Sequence, residues 1–177
     1  MNVIRIASAS TPLTTAEAEL LLRLISETWP PAEGAPPYEL APFRAYWEEI
    51  DAVHFLIGDH ELLAHSLIFR RKVTTTKGEI VVGALASVCV PVHARGQGLG
   101  AKITQAAFDY LPELGAEVSL FQTGVPKFYE KLGGRLISNP LVNGTNPKHP
   151  FWDPFAMIWP ATYDWPAGLI DLNGPGY

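Results

Sequence analysis

The residues with the clearest chemical potential form one run, Val88-Cys89-Val90-Pro91-Val92-His93-Ala94-Arg95-Gly96-Gln97-Gly98-Leu99-Gly100-Ala101. An apolar stretch ends, a short turn follows, and a glycine-rich loop opens an amphipathic segment. The pattern predicts a buried strand feeding a helix. The first turn of a helix exposes backbone N–H groups that have no partner within the helix, and it carries the positive end of the helix dipole. Together these bind phosphate. Gly98 and Gly100 lack side chains, so a pyrophosphate can come close to the backbone, and Arg95 adds a charge-assisted partner. No Gly-Lys-Ser/Thr follows, which excludes the phosphate loop of nucleotide hydrolases, and G-x-G-x-x-G is absent. A glycine-rich turn with no ligand is the alternative reading of these residues taken alone.

A second run stands downstream, Val125-Pro126-Lys127-Phe128-Tyr129-Glu130-Lys131-Leu132-Gly133-Gly134. Arg95-x-x-Gly98-x-Gly100 after an apolar strand, followed by Phe128-Tyr129-Glu130-Lys131-Leu132-Gly133-Gly134, resembles the GCN5-related N-acetyltransferase (GNAT) family. The likeness covers roughly residues 60–137. It implies an acyl-CoA N-acyltransferase fold, acetyl-CoA as cosubstrate and no metal. It implies that Arg95, Gly96, Gln97, Gly98, Leu99, Gly100 and Ala101 hold the CoA pyrophosphate, that the backbone at Val88 and Val90 pairs with the pantetheine arm, and that the neighbouring strand splays away to admit the acyl chain. Tyr129 matches the tyrosine that lies near the thioester sulfur, and Gln122 stands where many members have an Asn on the cofactor side. The chemistry is coherent. Attack of an amine on a thioester forms an oxyanion, which a backbone N–H near Val90 would stabilise. It also expels a thiolate, which a phenol with a pKa near 10 can protonate. Three departures stand out: Gln122 replaces a common Asn, Val125 replaces a common Ala, and Ala86 occupies the place of a carboxylate that often helps deprotonate the amine. Another group acting through water, an amine that arrives neutral, or a different acceptor would answer the last.

Within the family the chain is loosely similar to aminoglycoside 2′-N-acetyltransferases, in the strand around His65 to Val73 and in the tail from Asp164 to Tyr177. That likeness implies that Asp164, Asp171 and the carboxylate of Tyr177 face a cationic amine; a solvated tail is the alternative. Nodulation N-acyltransferases, which acylate an amino sugar, share similar features. A non-catalytic acyl-CoA-binding regulator on the same fold and an unrelated nucleotide-binding module are the other functional classes.

His60-Glu61-Leu62-Leu63-Ala64-His65 lacks the spacing of a metalloprotease helix, because Ala64 holds the position of the second histidine. His54, His93 and His149 have no readable partner, and His65 is the one histidine to test as a base. Cys89, flanked by valines, reads as a small core residue rather than a nucleophile.

The elements that must position these groups follow from periodicity. Residues 3–6 read as a strand. Thr14 and Glu17 have capping-box spacing, and Leu20, Leu21, Leu24 and Thr28 then recur as in a helix that ends at Trp29-Pro30. A Pro-, Gly- and Ala-rich loop follows. Phe43, Tyr46, Trp47 and Ile50 mark the core face of a second helix, and the loop at 29–38 with Trp47 is expected to shape an acceptor pocket. Strands are expected at 53–58, 62–73, 80–90, 118–121, 135–137 and 155–159, with 80–90 buried on both faces. A helix showing Leu99, Ile103, Ala106 and Tyr110 on one side ends at Pro112, and a short one opens at Pro126 and closes at Gly133-Gly134. The segment between the last two strands reads as a long loop. The expected fold is a mixed α/β (α+β) central sheet with flanking helices in one domain, residues 1–177.

The totals are compatible with this. The chain has 177 residues and a net charge of −5, and 47% of its residues are hydrophobic. That balance supports a sizeable core and disfavours nucleic acid or anionic membranes as partners. A small-molecule amine is the expected partner, a homodimer is open, and with no basic, apolar leader and no span-length apolar run a cytoplasmic location is the default.

Overall fold

Thr14 sets the entry to the first helix. Its hydroxyl accepts from the Glu17 N–H at 3.2 Å, and the Glu17 carboxylate accepts from the Thr14 N–H at 2.8 Å, a reciprocal box that satisfies two otherwise orphaned donors. The helix α1 (Thr15–Thr28) buries Ala18, Leu21, Leu24 and Ile25; Leu21 and Leu24 are as expected, while Leu20 and Thr28 are only half-buried. It stops at Trp29, before Pro30. In the computed structural model, which describes residues 3–144 and 150–177, the strand β1 (Ile4–Ala7) precedes α1, and α2 (Leu40–Glu49) follows it. Only Trp47 of α2 is buried. Phe43, Tyr46 and Ile50 are half-exposed, so the aromatic stripe is a shallow contact rather than a core face. His149 lies outside the described residues.

The remaining elements are β2 (Val53–Gly58), β3 (Leu62–Thr75), β4 (Gly78–Cys89), α3 (Leu99–Asp109), β5 (Ser119–Thr123), α4 (Pro126–Glu130), β6 (Arg135–Leu136), β7 (Leu141–Val142), β8 (Phe155–Trp159) and β9 (Ile170–Asp171). Hydrogen bonding orders them β1-β2-β3-β4-β5-β8-β6, with β9 pairing β3 and β7, in a mixed nine-stranded sheet. β4 and β5 run parallel through Gly83↔Ser119 and Ala84↔Leu120, whereas β5 and β8 are antiparallel over five pairs.

The chain forms two compact units, Met1–Phe69 with Ser87–Ala107, and Arg70–Ala86 with Phe108–Tyr177. In the first unit β2 is buried along almost its whole length, as is β3 as far as Phe69. Both faces are covered there, and His54 and His65 lie inside. The Ser66 hydroxyl donates to the Ile103 carbonyl at 3.1 Å, tying β3 to α3. Ile103 is buried as expected of the α3 face, but Ala106 and Tyr110 are only half-buried; Thr104 and Ala107 are buried beside Ile103.

In the second unit Val73, Val82, Val118, Leu120, Ile158, Trp165, Ile170 and Leu172 make one core. Trp165, Ile170 and Leu172 come from the segment that the sequence left as a tail, and β7 lies in the stretch expected to be loop. Two-residue strands carry no readable alternation, and their partners are distant in sequence, so periodicity could not find them. β4 is buried at Val82–Leu85 and again at Cys89; residues 86–88 between them are half-exposed, which corrects the expectation of burial on both faces along its whole length.

Candidate functional site

The end of β4 and the mouth of α3 belong to one unit. Ala94 and Leu99, both nearly inaccessible, anchor the two sides of the loop, while Arg95, Gly96, Gln97 and Gly98 between them are exposed. Gly96 and Gly98 sit at φ 79° and 76°, a left-handed backbone that a Cβ penalises. A Cβ built on either would meet nothing within 4 Å. Packing therefore does not demand glycine here; backbone conformation does, and the space beside the loop is open to a ligand. The Lys102 N–H reaches the Gly98 carbonyl at 3.0 Å, which starts the helix there. The amides of Leu99, Gly100 and Ala101 thus fall in the first turn, where no intrahelical acceptor exists. Arg95 is exposed, and its Nε donates to the Val90 carbonyl at 3.0 Å, so the guanidinium is folded back over the strand end. The set offers amide donors, a dipole and one cation around open space, as a diphosphate requires.

Val88 and Val90 are half-buried. Ser87, just before them, has φ 52°, uncommon for a residue other than Gly, Asn or Asp. The Ser87 carbonyl accepts from His65 Nδ1 at 3.0 Å, and His65 Nε2 lies 3.1 Å from His54 Nδ1. A carbonyl only accepts, so His65 Nδ1 carries the proton. Its Nε2 is then the acceptor in a neutral ring, and His54 Nδ1–H is the donor. Burial holds the pKa of His54 down to about 4. His65 falls well below the ordinary value through burial and the neighbouring His54, against the pull of the Ser87 carbonyl. Trp47 closes the far end, its ring 5.0 Å from that of His54 and near perpendicular to it. These distances correct two expectations. His54 and His65 are partners rather than isolated, and His65 is no base, being fully buried with both nitrogens engaged.

The pairing was readable in principle. With strands at 53–58 and 62–73 joined by a turn, the antiparallel register Leu56↔His65 and His54↔Leu67 makes the two histidines diagonal neighbours on one face. The left-handed Ser87 had no signal in the sequence.

Beside His54, a cavity of about 480 Å³ is lined by Ala7, Ser8, Arg44, Trp47, Asp51 and His54, among others, and by no residue of the glycine loop. In the loop expected to shape an acceptor pocket, Trp29 and Tyr38 are exposed. Cys89 is buried, and burial raises its thiol to about 12 against a hydrogen bond with Thr28; it is core, as expected.

The second unit holds the downstream motif. Pro126 opens α4, and the Gly134 N–H closes it onto the Tyr129 carbonyl at 2.9 Å. Tyr129 is only 6% exposed. Its ring centroid lies 4.6 Å from that of Phe121 and 4.8 Å from that of Phe128. Burial and the Asp153 carboxylate push the phenol well above its ordinary value, opposed by a hydrogen bond with Thr123. The hydroxyl therefore stays protonated, which a proton donor needs, but its burial restricts what it can reach.

Gln122 has both ends of its amide occupied. Its nitrogen donates to the Tyr177 carbonyl, and its oxygen accepts from the Asp153 N–H at 2.7 Å. The side chain is a clamp between three segments, and these bonds engage one of its two amide hydrogens. Tyr177 is buried, with its hydroxyl on the Leu120 carbonyl at 3.1 Å. Asp171 accepts from the Asn173 N–H, and Asp164 pairs with Lys77 at 3.6 Å in the open. The tail is thus packed rather than solvated, and Asp171 is committed to its own turn. Ala86, half-exposed, leaves no carboxylate at that position of β4.

A family profile for the acetyltransferase (GNAT) domain matches residues 10–137, more than half of the chain. N-alpha-acetyltransferase 30 of Schizosaccharomyces pombe is 28% identical over 102 residues, 55% of this chain and 67% of that protein. Among solved structures, the GNAT family N-acetyltransferase YhbS of Escherichia coli, in complex with CoA, superposes with a TM-score of 0.67 at 14% identity, covering 97% of this chain and 89% of that one. Glucosamine-6-phosphate N-acetyltransferase of Arabidopsis thaliana gives 0.56 at 19% identity over 77% and 92%.

Proposed function

We propose that this chain, which belongs to the GNAT acetyltransferase family and is an acyl-CoA-dependent N-acetyltransferase, transfers acetyl from acetyl-CoA directly to a primary amine of a small molecule such as an aminoglycoside or amino sugar. The observation that carries the reading is the mouth of α3. Two left-handed glycines there face open space, with Arg95 beside them, and such a cradle suits a diphosphate. Gly96, Gln97, Gly98, Leu99, Gly100 and Ala101 hold the pyrophosphate through their backbone, with Arg95 neutralising charge. The backbone of Val88 and Val90 pairs with pantetheine.

The amine lone pair forms the new N–C bond as the C–S bond breaks. A neutral amine is the nucleophile, because Ala86 offers no base; water takes the proton that the nitrogen sheds as the tetrahedral intermediate collapses to the amide. Tyr129 supplies the proton for the departing thiolate and recovers one from water. Its burial also favours a second reading, a packing tyrosine, and Tyr129→Phe separates the two: an acid loses kcat and keeps CoA affinity, whereas a packing residue loses stability and keeps kcat.

The net charge of −5 favours a cationic acceptor. A peptide α-amine is the alternative acceptor, favoured by the likeness to an N-alpha-acetyltransferase. Thiol release from acetyl-CoA, measured with aminoglycosides, glucosamine and short peptides in parallel, tests the reading. Turnover on an amino sugar or aminoglycoside supports it; turnover on peptides alone replaces the acceptor; none on any amine rejects it.

A further inference from the structure

We infer that His65, backed by His54, is a positioning residue for acyl transfer: it holds the peptide between Ser87 and Val88 in the one orientation that presents the Val88 amide to the thioester arm. This rests on the reading that the end of β4 binds pantetheine.

A serine at φ 52° is strained relative to ordinary backbone, so something must hold it there. The hydrogen bond from His65 Nδ1 to the Ser87 carbonyl does so. A peptide unit is planar, and in its trans form C=O and N–H point in opposite directions. Fixing the Ser87 oxygen therefore fixes the Val88 N–H, on the opposite side of the strand from His65. Residues 86–88 are half-exposed, so a substrate can reach this stretch of β4.

His65 cannot do this alone. Its ring must stay neutral with the proton on Nδ1, and the donor from His54 to Nε2 selects that tautomer. Trp47 in turn packs its ring edge-on against His54. The two histidines form a buried, uncharged relay ending on the backbone of the strand that the acetyl donor is proposed to use. A glutamine at position 65 carries a donating NH2 and an accepting carbonyl on its amide and can replace both bonds; leucine can replace neither.

The experiment uses the full chain, with His65→Gln, His65→Leu and Ser87→Gly, alone and combined. Affinity is measured for CoA and for 3′-phosphoadenosine 5′-diphosphate, which carries the nucleotide and diphosphate but no pantetheine, alongside kcat. In His65→Leu, CoA affinity falls about tenfold, the loss of roughly one good contact, while the nucleotide binds within about twofold and kcat drops further. His65→Gln retains most of both. Ser87→Gly accepts the left-handed backbone without cost, so it blunts the effect of His65→Leu.

Equal losses for CoA and the nucleotide, or an effect of His65→Leu unchanged by Ser87→Gly, would overturn the positioning role. If the leucine variant fails to fold, His65→Gln decides: a loss of pantetheine discrimination there, despite its donor and acceptor, overturns the proposal. A wild-type protein that binds CoA no tighter than the nucleotide refutes the pantetheine reading itself, whatever the histidines do.

Discussion

Burial acts on the titratable side chains of Tyr129, Cys89, His54 and His65, and in each it disfavours the charged form. For the histidines the consequence for stability has a definite sign. Unfolded histidine binds a proton near pH 6.5, whereas folded His54 does so only near pH 4. Between those values the unfolded chain holds more protons, so stability falls as pH falls. His65, also held well below its ordinary value, adds to the loss over the same window. Denaturant midpoints measured from pH 7 down to pH 4 should show His54 alone costing on the order of 3 kcal/mol across that window, and His65→Gln should flatten the slope. For Tyr129 the phenylalanine variant is expected to lower kcat by about 10²-fold, with CoA affinity unchanged; unchanged turnover would make it a packing residue.

At the scale of elements, the loop before α3 and the capped start of α1 offer the clearest tests. Gly98→Val puts a β-branched side chain at φ 76°, into the space that a diphosphate would fill. CoA affinity should fall by more than tenfold, for a stability loss of roughly 1–2 kcal/mol from backbone strain. Thr14→Ala removes one half of the reciprocal cap and should cost about 1 kcal/mol without touching kcat, as a thermal melt beside an activity assay would show.

These are also the elements most legible in the sequence. The box at Thr14 and Glu17 and the glycine run at residues 96–100 are local signals, because both are set by bonds between near neighbours. Strands of ordinary length and regular composition, such as residues 53–58 and 155–159, are legible too. What escaped was non-local. β7 and β9 exist through pairing with each other and with β3. The His54–His65 contact needs the hairpin register. The occupied amide of Gln122 depends on Tyr177 and Asp153, 55 and 31 residues away.

For the molecule as a whole, the surprise is the end of the sequence. Trp165, Ile170, Leu172 and Tyr177 are buried, and burial of such side chains contributes about 1.5–3 kcal/mol each, against a total stability for a domain of roughly 5–15 kcal/mol. Deleting residues 164–177 should therefore abolish cooperative unfolding of the second unit, seen as loss of the near-ultraviolet dichroism of its aromatics; a deletion that melts like the full chain would show the segment to be dispensable.

The central claim is that the amides at the mouth of α3 hold a diphosphate. Titration of CoA into isotope-labelled protein, followed through the backbone amide resonances of Gly96, Gly98, Leu99, Gly100 and Ala101, tests it directly. The account predicts that these amides shift together along one saturating curve, and that the nucleotide diphosphate fragment alone reproduces the shifts. CoA binding that leaves them unmoved, or no binding at all, would contradict it.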